Sequence, residues 1–260
     1  MNFFVRFYLR LMIFFDKVEL FFHRLFSGEI FIEIRDKFIN TFIVDNRWKY
    51  LTDGLVVTIK VAFFAVLIGI VIGFIVAIIR ATNINTGKLK ILNFFCKIYI
   101  TVIRGTPVVV QLLIIYFVIF ASARKIDKSF VAILAFGINS GAYVAEIVRG
   151  GIMSIDAGQM EAGRSLGFNY VQTMWHIILP QAFKNVLPAL GNEFIVLLKE
   201  TSVSGYIALQ DLTKGGDIIR GRTYESFMPL IAVALIYLAL VMILSYFVGR
   251  LERRLRNSDH

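Results

Sequence analysis

Long apolar runs separated by short charged stretches set the pattern of this chain. Residues 61–79 carry no charge and are bounded by Lys60 and Arg80, and 105–123 is equally bare between Arg104 and Arg124. Residues 129–145 run uncharged up to Glu146 and extend to about Gly151; 185–198 contains Glu193 alone; 226–249 is the longest uncharged run. A helix needs about 20 mainly apolar residues to cross a bilayer. The pattern therefore predicts an all-α membrane protein with about five transmembrane helices. Trp48 and Tyr50 stand just ahead of the first run, where amphipathic aromatics anchor a span at the interface.

The chain divides into an N-terminal amphipathic segment (1–50), a transmembrane domain (51–250) and a basic tail (251–260). In the first segment Arg6, Arg10, Lys17 and Arg24 recur at spacings of four and seven, which lines them along one helical face with Phe and Leu on the rest. That arrangement suits a helix lying in the interface plane. A sixth span starting in the cytoplasm is the alternative, at the expense of burying Asp16, Lys17 and Glu19.

Composition agrees: 58% of residues are hydrophobic, against roughly 45–50% in soluble domains. The net charge of +10 points away from nucleic acid, because no basic cluster sits on a soluble module. It fits cytoplasmic loops and membrane lipids instead. Arg80, Lys88, Lys90 and Lys97 follow the first run with no acid among them, and Arg250, Arg253, Arg254 and Arg256 follow the last. The positive-inside rule puts both groups, and the C-terminus, in the cytoplasm; Arg124, Lys125 and Lys128 then lie outside, against the trend. Cys96 excludes an intrachain disulfide and reads as a packed thiol. His23 and His176 are isolated, so no metal site is expected. Gly69 and Gly73 form a G-x-x-x-G that permits close helix packing. No cleavable signal is evident in the charged N-terminus.

The stretch between the third and fourth runs, about 152–182, is too long for a plain helix connection of 2–8 residues. Asp156 with Gln159, and Asn169 with Gln172, have the three-residue spacing of an N-cap and its reciprocal partner. The stretch reads as two short helices, 159–166 and 170–179, turning at Gly167, with Pro180 ending the second. Ala162, Gly163 and Ser165 keep the first slim enough to enter a groove on another protein.

These residues resemble those of ATP-binding-cassette importer permeases of the polar amino-acid branch. Glu161-Ala162-Gly163, Gly167 and Ile178-Leu179-Pro180 are similar to the EAA loop of that family, and Ile103-Arg104-Gly105-Thr106-Pro107 with Val110-Gln111 to its second-span signature. Residues 140–151, Leu187-Pro188 and 197–202 continue the likeness, which covers roughly 50–250. Gly163 stands where a second alanine is usual, and Glu200 where aspartate is common. The resemblance implies a type I importer-like permease fold, not an enzyme, in the bacterial inner membrane. Its loop, with Glu161, Ala162, Gly163, Gly167, Leu179 and Pro180, would dock on cytoplasmic ATPase subunits. A second permease copy or paralogue and an extracellular or periplasmic amino-acid-binding protein would complete the assembly. The chain has no G-x-x-x-x-G-K-[ST] loop, so it would bind no cofactor, with ATP and Mg²⁺ on the partner.

Charges at membrane depth pair or line a polar cavity. Arg104, Glu146, Lys199 and Glu200 read as structural charges, in ion pairs or at the interface. Glu193, beside Asn192, is deepest in its run: it is either part of a substrate path, suited to an ammonium group, or a structural pair. A gradient-driven transporter would show internal repeats, absent here; a membrane enzyme would need a clustered nucleophile, metal site or acid–base group, and none has that spacing. A structural adaptor would explain a docking loop but not Glu193.

Overall fold

In the computed structural model the described residues are 10, 12–14, 16–18, 28–123 and 126–256; the helical face carried by Arg6 and Arg24 lies outside them. The described residues form helices and no strand. In chain order they are α1 (Glu29–Phe38), α2 (Trp48–Thr86), α3 (Lys90–Gly105), α4 (Val108–Ile114), α5 (Lys128–Met153), α6 (Ala157–Ser165), α7 (Tyr170–Thr173), α8 (Leu179–Glu200), α9 (Leu212–Thr223) and α10 (Phe227–Arg256). Three of them, α2, α5 and α10, are long and apolar enough to cross a membrane. The pair Lys90–Gly105 and Val108–Ile119, bent by 108°, is a broken span or a re-entrant loop, so the described residues hold three crossings, or four where the pair counts as one. The expected run 185–198 lies within the 22-residue α8, where Lys184, Glu193, Lys199 and Glu200 dilute the apolar character.

The basic stretch after the first run is helix, not loop. Arg80 lies inside α2 and the chain reverses only at 87–89, where Gly87 takes φ +68 and its N–H reaches the Asn83 carbonyl. The second span likewise begins well before residue 105 and breaks at Thr106–Pro107. Proline drives the residue before it out of the helical region, and Thr106 is extended at φ −123, ψ 145.

The core is built on the crossing of α2 and α5, and glycines set its closeness. A Cβ at Gly69 would come within 2.8 Å of Ser140 Oγ, one at Gly73 within 2.4 Å of Val144 Cγ1, and one at Gly137 within 2.8 Å of Ile68. The G-x-x-x-G of the first span is thus consumed within the chain. Cys96 is packed beside Val76, Ile100, Ala142 and Ala145. At one end of the bundle Ala77 and Ala81 of α2 meet Ile152, Met174 and Ile178. At the other, α9 is wedged between α2 and α10: Gly215 faces the Tyr50 carbonyl and Gly216 faces Val233. Outward faces of α2 and α10 carry Phe63, Leu67, Val71, Leu238, Met242 and Phe247, all exposed, as a hydrocarbon surround requires.

Candidate functional site

The segment 157–178 forms a hairpin at the end of the bundle where α5 finishes. Asp156 caps α6 by accepting from the Gly158 N–H at 2.7 Å, so it does not make the expected box with Gln159. The box at Asn169 and Gln172 is complete: Gln172 N–H donates to Asn169 Oδ1 at 3.0 Å, and Asn169 N–H to Gln172 Oε1 at 2.9 Å. Between them Gly167 (φ +84) reverses the chain. The Phe168 N–H bonds the Gly163 carbonyl at 3.0 Å and the Gly167 N–H bonds Arg164 at 2.9 Å, the pair of bonds that closes a helix on a left-handed residue.

Pro180 does not end the second helix. From Tyr170 the helical backbone runs through a wider π turn, Met174–Ile178, into α8, where Pro180 falls in the first turn. Proline, which has no N–H, is tolerated there because the π turn just before it already interrupts the regular i→i−4 ladder. Gly163 is the buried residue of α6: a Cβ on it would lie 2.5 Å from Cγ2 of Thr173, itself fully buried. Where alanine is usual, this chain lets its two hairpin helices touch. Glu161 and Ala162 are exposed, and so are the apolar side chains of Leu166 (74%), Val171 (71%) and Trp175 (68%). The hairpin therefore leaves one carboxylate and several apolar side chains uncovered.

A second polar group is buried in the bundle. Ser140 of α5 donates to Glu193 of α8 at 2.8 Å. Its neighbour Asn139 donates to Gln111 Oε1 at 2.9 Å, while Gln111 Nε2 reaches the carbonyls of Ile103 (2.7 Å) and Thr106 (3.1 Å). Gln111 thus splints the break that Pro107 creates, satisfying carbonyls that α3 leaves open at its end. Asn192 points elsewhere, to the open face of α8, so the two adjacent candidates for a substrate path are separated.

Glu146 sits between Arg80 of α2 and Arg149, whose Nη2 is 2.8 Å away. Arg104 makes a different contact, lying over the Tyr143 ring at 5.2 Å. Lys199 is exposed at the end of α8 and Glu200 is half-buried. Arg80, Ser140 and Gln111 are the partners that sequence reasoning missed as such; only Gln111 carried a local signal, its place four residues after Pro107. Among the described residues no group of three or more His, Cys, Asp or Glu could hold a metal.

Asp211, between α8 and α9, lies outside the membrane-spanning segments. It accepts from Lys214 N–H at 3.0 Å and Thr213 N–H at 3.4 Å, capping α9. Burial pushes its carboxyl up from 3.8 to about 6, against those hydrogen bonds.

Comparison with known proteins separates the readings. Residues 69–257 match the family described as binding-protein-dependent transport system inner membrane component. The chain belongs to this family. The arginine transport system permease ArtQ of Bacillus subtilis is 38% identical over 211 residues, covering 81% of this chain and 94% of that protein. The glutamine transport system permease GlnP of Escherichia coli is 37% identical over 208 residues (79% and 93%). A solved amino acid ABC transporter with histidines superposes at TM-score 0.74 and 42% identity, covering 82% of this chain and 98% of that one. The MetNI methionine transporter, at 20% identity and TM-score 0.69 over 80% and 97%, shares the fold. The permease is a multi-pass protein of the inner membrane and the translocation subunit of an importer, not an enzyme; ATP hydrolysis lies in a partner subunit, and a substrate-binding protein belongs to the system. The relatives cover nearly all of themselves but only about four-fifths of this chain. The family match begins at residue 69.

Proposed function

We propose that this permease imports polar amino acids, that its 157–178 hairpin is the element through which the ATPase drives it, and that it works beside a second permease copy or paralogue. The hairpin carries the coupling part of the reading: exposed apolar knobs on a capped, rigid mount are what a groove on a partner requires. Glu161 meets basic side chains there, Ala162 and Gly163 keep α6 slim, Gly167 makes the reversal, and Leu179 with Pro180 leads into α8. The hairpin and the basic C-terminal tail lie in the cytoplasm, in line with the charge bias of the chain. No cofactor binds this chain; ATP and Mg²⁺ belong to the partner.

Relatives named for arginine and glutamine support polar amino acids as the substrate class. The Glu193 carboxylate, with Asn192 on the open face of α8, is the feature suited to an ammonium group. The Ser140 bond favours a second role for Glu193, holding α8 on α5. Arg104, Glu146, Lys199 and Glu200 act structurally.

The test is affinity purification of the tagged permease from its host in mild detergent. The wild type should bring down an ATPase with a phosphate-binding loop and an amino-acid-binding protein. Glu161→Lys and Leu166→Glu should lose the ATPase by at least about tenfold, since burying one leucine contributes about 1.5–3 kcal/mol. An ATPase retained by both variants would remove the hairpin from the coupling role.

A further inference from the structure

We propose that residues 28–47, which precede the family match at 69–257, form an anchor on the outer leaflet: α1 lies flat in the lipid–water interface at the end of the bundle opposite the hairpin. The placement on the outer leaflet rests on the cytoplasmic orientation of the hairpin argued above.

The first observation is the state of α1. Its apolar side chains are largely uncovered: Phe31 (66%), Ile34 (51%) and Phe38 (50%) stand exposed, with Phe38 resting against Phe42. Ile30, Ile34 and Phe38 recur every four residues, with Phe31 beside them, so they share a face; Lys37 borders it and Glu33 lies off it. With the π turn Ile39–Ile43 that continues it, the helical stretch is about 20 Å long, short of the roughly 30 Å that crossing a bilayer requires. A short amphipathic helix with this much bare apolar surface matches a lipid interface. Its charges answer one another, Lys37 with Glu33 at 2.9 Å and Arg35 with Asp36 at 3.0 Å. The attraction is therefore apolar and does not depend on anionic headgroups.

The second observation is that α1 is mounted, not leashed. Thr41 (2%) and Phe42 (7%) are buried, Phe42 among Leu51, Leu212, Ile219 and Val233. Asp45 and Asn46 both take positive φ (55 and 52) and turn the chain into α2. Arg47 locks that turn, donating from Nη1 to the Asn40 carbonyl and from Nη2 to Asp45 Oδ2 at 2.7 Å. The level is marked by Trp48, directly after the turn and 43% exposed, a residue type that settles at the interface. Because Phe42 rests on α9, the anchor ties that helix to the membrane surface.

The experiment uses the full-length protein in phosphatidylcholine–phosphatidylglycerol nanodiscs containing a lipid spin-labelled near its headgroup. A fluorophore is attached at Phe31→Cys, Ile34→Cys or Glu33→Cys, with the unsubstituted protein reporting any labelling of buried Cys96. Quenching should be about threefold stronger at 31 and 34 than at 33, and should persist when phosphatidylglycerol is omitted. Adding Phe42→Ala should weaken quenching at 31 and 34 while the ATPase still co-purifies. Equal quenching on both faces overturns the anchor. So does weak quenching at 31 and 34 with cross-links between copies, or with shielding only when the binding protein is added. In sealed vesicles, an impermeant maleimide reaching Glu33→Cys only from the hairpin side overturns the outer placement. Loss of ATPase from the wild type would instead strike the coupling reading.

Discussion

At the scale of single residues, burial decides what each charge does. Glu146 is flanked by Arg80 and Arg149, Glu193 accepts from the Ser140 hydroxyl, and Asp211 accepts from backbone N–H groups. Asp211 gives the clearest consequence. Its folded-state value of about 6 exceeds its ordinary 3.8, first because burial disfavours the carboxylate. The native state therefore holds a proton that the unfolded chain has released between those values, and stability falls as pH rises through that window. The loss is complete above about pH 6, with an upper bound near 3 kcal/mol for a shift of about two units. Asp211→Asn keeps an oxygen to cap α9 but cannot ionise. Thermal melting of the purified protein between pH 5 and pH 7 should show the wild type losing several degrees more than the variant. Parallel curves would mean that Asp211 is not the group responsible.

At the scale of elements, the hairpin sets helix propensity against packing. Alanine at 163 would favour α6 intrinsically by up to about 1 kcal/mol. Its Cβ would meet Thr173 Cγ2 at 2.5 Å and Oγ1 at 2.8 Å, too close without separating α6 from α7. Overpacking of this kind costs about 1–3 kcal/mol. Gly163→Ala should therefore weaken ATPase retention or stimulation several-fold, and Thr173→Ala in the same chain should restore most of it. Stimulated ATPase activity in proteoliposomes reads both; no effect of the single substitution would leave propensity as the governing term. The sequence showed much of this element: the Asn169–Gln172 box, the reversal at Gly167 and the slimness of α6 all follow from local spacing. The role of Gly163 did not, because it depends on a residue ten positions away. The same holds for the bundle. Apolar runs marked the spans, but the break at Thr106–Pro107 and its Gln111 splint joined residues inside and outside an expected boundary, and Glu193 found Ser140 across 53 positions.

For the whole molecule, the decisive feature is where polarity remains uncovered. The open faces of α2 and α10 are apolar and suit lipid. The open face of α8 is different: Asn185, Asn192, Val196 and Lys199 share one side and are exposed. Polar side chains on a helix within a membrane bundle do not face hydrocarbon without a large cost. That stripe is where the proposed second permease copy, or a water-filled path, would be tested first. A cysteine at Val196, between Asn192 and Lys199, should cross-link with a short bis-maleimide in native membranes to a species of two permease masses. Leu238→Cys, on the exposed apolar face of α10, should give no such species under the same conditions. Adding the transported amino acid and ATP should change the yield at 196 if transport moves the faces that meet there. Cross-linking at 238 instead of 196 would move the contact to α10 and leave the α8 stripe facing a partner of another kind.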